Sequence, residues 1–148
     1  MLSFSHTLIS LPFAYYLDSP VIIFLAAFVF HFFADTLLHW NFFPEQSKRF
    51  FLPLVTLEIL SGIVVTWLLI GADILTLPVL AAIAGGNAPD VIHQSWELLK
   101  PAVRKKYFSW AQPAFIFHDK LQNETLNFRK GVVSQIALIL VAILLLKI

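Results

Sequence analysis

The 148-residue sequence contains no cysteine and little charge: 13% of it is Asp, Glu, Lys or Arg, and the formal net charge is +1. Without thiols there is no disulfide scaffold, iron–sulfur cluster, thiolate zinc site or cysteine nucleophile. So little charge also excludes disorder and a coiled coil, and a net +1 cannot drive the phosphate contacts of a nucleic-acid-binding domain. Soluble domains are roughly 45–50% apolar and about 25% charged. Here 59% of residues are hydrophobic, the mean hydropathy is +0.81, and 15 phenylalanines outnumber the 10 lysines and arginines. What remains is a small polytopic membrane protein, read with lipid as the solvent. No internal repeat, low-complexity tract or soluble second domain interrupts it, so residues 1–148 form a single membrane domain.

Long apolar stretches predict about five spans, at 4–17, 21–40, 51–70, 74–93 and 132–146. A tilted helix needs roughly 20 residues to cross about 30 Å of hydrocarbon. The three middle stretches reach that length, while the first and last start in the interface or sit where the bilayer is thinned. None alternates as barrel strands do, so the spans are helices and the fold class is an all-α transmembrane bundle. The first stretch does not read as a signal peptide. No Lys or Arg precedes it, it contains His6 and Pro12, and Asp18-Ser19-Pro20 follows. Segment 94–131 mixes charge with Trp96, Tyr107, Phe108, Trp110 and Phe115. It is expected to continue the fourth helix and then lie along the headgroups as an interfacial helix.

Five spans place the N-terminus, loop 41–50 and segment 94–131 on one side. That side holds Lys48, Arg49, Lys100, Arg104, Lys105, Lys106, Lys120, Arg129 and Lys130, and the other holds only Lys147. The positive-inside rule then predicts N-terminus in and C-terminus out, and the membrane is expected to be a bacterial or archaeal cytoplasmic (inner) membrane. The basic run at 100–106 reads first as a topology signal and headgroup contact.

Ionisable groups inside spans are costly, so each asks for a reason. On a helix, His31, Asp35 and His39 lie on one stripe at i, i+4 and i+8. Glu58 sits deep in the third span, and Asp90 and His93 form an i, i+3 pair at the end of the fourth if the helix resumes after Pro89. His118, Asp119 and Glu124 follow, and His6 opens the first span. All five histidines, and every carboxylate except Asp18 and Asp73, fall in the cytoplasmic half. This points to a shared polar pocket opening to the cytoplasm. Structural alternatives are an interfacial His6, a hydrogen-bonded protonated Glu58, and interhelical hydrogen bonds for the His31 stripe. Gly85-Gly86 reads as close helix approach or a helix interruption.

Imidazole and carboxylate without thiol is the ligand set of hydrolytic Zn, Mn, Mg or Fe sites. His6, His31, Asp35, His39, Asp90, His93, His118 and Asp119 are the candidate metal ligands. They suffice for one ion, or for two bridged by an aspartate. Glu58 or Glu124 is the candidate proton shuttle. Ser5-His6-Thr7, His31-x3-Asp35-x3-His39-Trp40, Ala88-Pro89-Asp90-x2-His93 and Phe117-His118 resemble the small membrane-bound metal-dependent hydrolases, including the LexA-regulated inner-membrane type. In this chain the His-x3-Asp helix precedes the Pro-Asp element, Ile92 stands at that element's second aspartate, and the usual His-Arg-Gly-x-x-His-Ser stretch is reduced to His118-Asp119. The resemblance implies a divalent metal, zinc first. Together with a site at headgroup depth, it implies hydrolysis of a lipid-linked or amphiphilic phosphoester entering from the membrane. The rival readings are a zinc-type divalent-metal transporter, a metal-binding membrane protein without catalysis and, last, haem or chlorin binding.

Overall fold

In a computed structural model the chain is described over residues 3–40 and 51–146. Loop 41–50 with Lys48 and Arg49, and also Lys147, lie outside the described residues. The described chain is all-helical apart from one minimal strand pair. Its helices are α1 (Ser3–Tyr16), α2 (Pro20–Thr36), α3 (Phe51–Ile70), α4 (Leu77–Leu98), α5 (Pro101–Tyr107), α6 (Gln112–Leu121) and α7 (Phe128–Leu145). A proline occupies the first turn of α2, α4, α5 and α6, where its missing N–H costs nothing and its fixed φ suits helix entry. Gly71, at φ +58°, takes the left-handed turn that ends α3 and opens a short 3-10 turn, Gly71–Leu75.

α1 is the hub: α2, α3, α4 and α7 all pack against it. Every residue from Ser5 to Pro12 is buried, and the buried set includes Ser5, His6, Thr7 and Ser10. Asn87 of α4 donates a 3.0 Å hydrogen bond to the Thr7 hydroxyl. Two glycines allow the approach. A Cβ at Gly85 would overlap the Phe24 carbonyl of α2, and one at Gly86 would stand 2.9 Å from the His6 carbonyl and overlap Ser10 Oγ. Gly85-Gly86 is therefore a close-approach pair, and α4 runs unbroken through Pro89.

At the far end of the bundle the core is apolar, formed by Leu8, Leu11, Ile70, Ile74, Val79 and Leu146. The outward faces are apolar as well, with Leu57, Leu60, Val64, Trp67 and Leu68 exposed on α3 and Val133, Ile136, Leu140 and Leu144 on α7. Among the described residues two helical stretches, Thr56–Leu75 and Phe128–Leu145, are long and apolar enough to cross a membrane, and only 17% of each is buried. α2 is a shorter apolar helix.

The second predicted span is corrected at its end. α2 stops at Thr36, and His39–Trp40 forms β1, which pairs in parallel with β2 (Glu124–Thr125). The segment after α6 caps α2. Asn123 N–H donates to the Asp35 carbonyl at 2.9 Å and its side chain donates to the Thr36 carbonyl at 3.1 Å. Those are carbonyls that a helix end leaves without partners. The same bonds draw α6 across the end of α2. α7 begins four residues earlier than expected, where Asn127 accepts from Lys130 N–H as its N-cap.

Gly85→Val places side-chain carbon against a backbone oxygen that cannot move aside. It is expected to cost about 1–3 kcal/mol or more, read as a lowered melting temperature in detergent. An unchanged melting temperature would refute the close-approach role.

Candidate metal centre

Three segments bring four ligand atoms together. α2 supplies His31 and Asp35 one turn apart, α4 supplies Asp90, and α6 supplies His118. One ligand atom from each, a histidine nitrogen or a carboxylate oxygen, lies within 4.8 Å of the other three. His31, Asp35 and His118 are buried, and Asp90 is partly buried.

The spacing has a chemical meaning. His31 Nε2 is 3.0 Å from Asp35 Oδ2 and 3.5 Å from Asp90 Oδ1. His118 Nε2 is 3.3 Å from Asp35 Oδ2, 3.7 Å from Asp90 Oδ1 and 3.2 Å from His31 Nε2. Donors on a tetrahedral ion with bonds of about 2.0–2.2 Å stand roughly 3.3–3.6 Å apart. The five distances, 3.0–3.7 Å, bracket the edge length of such a shell.

The outer contacts settle which nitrogens face inward. His31 Nδ1 lies 2.8 Å from the Gly86 carbonyl, to which it can only donate, so in the neutral ring Nε2 carries the lone pair, and in the protonated ring Nε2–H donates to Asp35. His118 Nδ1 lies 3.0 Å from His93 Nδ1, and His93 Nε2 lies 3.5 Å from Asp119 Oδ1. Donation from His118 Nδ1–H to His93 Nδ1 leaves His118 Nε2 as an acceptor too, with the Gln122 amide nitrogen 3.1 Å from it. Two imidazole lone pairs and two carboxylates then converge in a buried space, an arrangement that repels itself unless a cation or shared protons fill it. Gln122 supports the cluster by donating its amide N–H to Asp35 Oδ2 at 2.7 Å.

The other candidate residues take separate places. His6, fully buried, reaches Asp35 Oδ1 at 3.2 Å and stacks its ring on His31 with centroids 3.9 Å apart. His93 stands one imidazole outside the four, and Asp119, with 63% of its side chain exposed, lies beyond it. Glu58 accepts from Ser3 N–H at 3.1 Å, one turn before His6 on α1, while its other oxygen is buried without a hydrogen-bond partner among the described residues. His39 leaves the predicted stripe because α2 ends before it. It is buried in β1 with Nδ1 donating to the Leu37 carbonyl at 2.9 Å, and it is not one of the four clustered residues. Glu124 is exposed on β2 in register with His39. Sequence reasoning did not assign roles to Gln122 or the Gly86 carbonyl. Gln122 lies one helical turn beyond His118, and that spacing was the available signal. Nothing in the sequence marks a carbonyl as a histidine partner.

His118 also forms part of the wall of an apolar cavity of about 580 Å³ between α2, α4 and α6, lined by Phe28, Phe32, Ile92, Trp96 and Phe115 among others. Trp96 and Phe115 stack at 4.4 Å within that wall. A second cavity of about 660 Å³, against α1, α2 and α7, holds no histidine or carboxylate.

Comparison with protein-family models, curated proteins and solved structures finds no match to the chain.

Outer partners of metal-bound histidines typically contribute 10–100-fold in affinity. His93→Phe is therefore expected to weaken Zn²⁺ binding 10–100-fold in equilibrium dialysis, and His39→Ala to change it by less than about threefold. Equal losses in both would refute the assignment of His93 as the outer partner.

Proposed function

We propose that the protein is a membrane-embedded, metal-dependent hydrolase of a lipid-linked or amphiphilic phosphoester, of the kind its motifs resemble. The observation that carries this reading is that His118 belongs both to the His31/Asp35/Asp90/His118 cluster and to the wall of the apolar cavity. A polar headgroup at the cluster and a hydrocarbon chain along Phe28, Phe32 and Phe115 would share that one side chain as their boundary.

In this reading α1, α2, α3, α4 and α7 cross the membrane as five spans, with the cluster at the cytoplasmic end. Supporting it are the apolar outer faces of α2, α3 and α7 around a hub helix that buries Ser, Thr and His. That is the reverse of a soluble protein's surface and core.

A divalent cation, zinc first, held by His31, Asp35, Asp90 and His118 would supply Lewis-acid charge for the attacking water and the departing ester oxygen. The chain's own groups do the rest. Asp35 and Asp90 carry the negative charge that holds the cation, and His31 and His118 fix its position through outward-donated N–H groups. Glu58, bonded to the turn of α1 that precedes His6, is assigned as the acceptor of the attacking water's proton. The water oxygen bonds to phosphorus, the phosphorus–oxygen ester bond breaks, and the leaving oxygen ends with the proton that the water gave up. The cavity wall, apolar apart from His118 and Ser95, gives the hydrocarbon end of such a substrate an apolar seat beside the reacting end.

The purified protein in lipid–detergent micelles is expected to release phosphate or an alcohol from a long-chain phosphoester. Chelation should abolish turnover and Zn²⁺ or Mn²⁺ restore it. Asp35→Ala and Asp90→Ala should lower kcat at least 10³-fold, and Ile92→Asp in the cavity wall should raise KM for long-chain over short-chain substrate. Metal-dependent Zn²⁺ flux in proteoliposomes without any hydrolysis would replace this reading with transport.

The absence of cysteine makes the topology directly testable. In right-side-out vesicles, a cysteine replacing Thr76 should react with an impermeant maleimide, and one replacing Lys120 should react only after the membrane is opened. The opposite pattern would invert the orientation and face the cluster outward.

A further inference from the structure

The two aspartates of the cluster divide their oxygens in the same way. Asp35 turns Oδ2 toward His31 and His118, at 3.0 and 3.3 Å, and Oδ1 toward His6 Nε2 at 3.2 Å. Asp90 turns Oδ1 toward His31 and His118, at 3.5 and 3.7 Å, and Oδ2 toward His6 Nε2 at 3.9 Å. Each carboxylate therefore faces the His31/His118 pair with one oxygen and His6 with the other, as bridging carboxylates do.

His6 belongs to a different helix from the rest and is not one of the four clustered residues. Its ring lies almost parallel to that of His31, with 23° between the planes and 3.9 Å between the centroids. In-plane lone pairs of near-parallel, stacked rings run side by side and do not converge on one point. Two such imidazoles serve neighbouring positions separated by about the stacking distance. Paired hydrolytic ions stand about 3.5–4 Å apart.

We propose that His6 Nε2, Asp35 Oδ1 and Asp90 Oδ2 hold a second divalent cation beside the first, with Asp35 and Asp90 bridging the two. The inference rests on the metal reading of the cluster and deepens it from one ion to a pair. Three protein ligands leave the second position open, the condition under which an ion accepts water or a substrate oxygen. α1 then has a function besides packing: with α4 held against it at Gly86, it carries the one ligand the second ion does not share. The competing arrangement has His6 donating its Nε2–H to Asp35, and it needs only one ion.

The full-length protein in detergent, loaded with excess Zn²⁺ and freed of unbound metal, decides between them by metal counting. A parallel Mn²⁺-loaded sample reports by electron paramagnetic resonance whether two ions are exchange-coupled. Two Zn²⁺ per chain and a coupled Mn²⁺ signal are expected, falling in His6→Ala to one ion and an uncoupled six-line signal, and in Asp35→Ala to none. One ion per wild-type chain overturns the pair and leaves the cluster reading standing. No ion in the wild type overturns both. Two ions retained in His6→Ala overturn the assignment of His6. Should His6→Ala fail to fold, the wild-type count and coupling decide by themselves.

Discussion

The carboxylate of Asp35 has no solvent exposure, yet it sits in a bundle whose side chains are mostly apolar. Taking such a group out of water costs several kcal/mol even after relaxation, unless charge and hydrogen bonds replace the water. The fold around it can be read as the means of doing so. His31 comes from its own helix, His6 from α1, His118 from α6 and Gln122 from the C-cap position of α6, each within 3.3 Å of one of its oxygens. The backbone carbonyl of the same residue is bonded by Asn123. One residue thus ties together the hub helix, the second helix and the helix that crosses above them.

Two features make that convergence possible, and neither is chemical in itself. The first is the small-residue contact at Gly85 and Gly86, which brings α4 close enough to α2 for the Gly86 carbonyl to accept from His31. The second is the early end of α2, which leaves carbonyls for the 122–125 segment to bond and so positions α6. The tilt of chemistry toward one end of the bundle follows from both. The opposite end is closed by Leu8, Leu11, Ile70, Ile74 and Leu146, with no histidine or carboxylate in that core. An apolar half and a polar half in one small bundle suit a substrate with the same division.

His31 with Asp35, and Asp90 among the ligands, were legible because a helical period puts residues four apart on one face and a charge in an apolar run asks for a partner. His118 was legible as a candidate, but its arrival beside His31 depends on α6 crossing α2, which is a long-range contact. The ranking of His93 and Asp119 as outer partners was not legible either. Sequence spacing cannot tell a residue that joins the cluster from one a further imidazole away. His39 shows the opposite limit. Its i+8 position continues the stripe only if the helix continues, and the helix end is decided by hydrogen bonds from a segment more than eighty residues on.

The sequence by itself determined that the chain is helical and apolar along its length, that thiol chemistry is absent, and which side chains were available as ligands. Those follow from composition and local periodicity, which a single segment carries within itself. Only the tertiary structure decided that four of those side chains meet, that His39 and Glu124 stand apart, that both aspartates turn one oxygen toward His6, and that an apolar cavity adjoins the cluster. Those are relations between segments, set by how closely helices can approach and by which backbone groups a distant segment must satisfy.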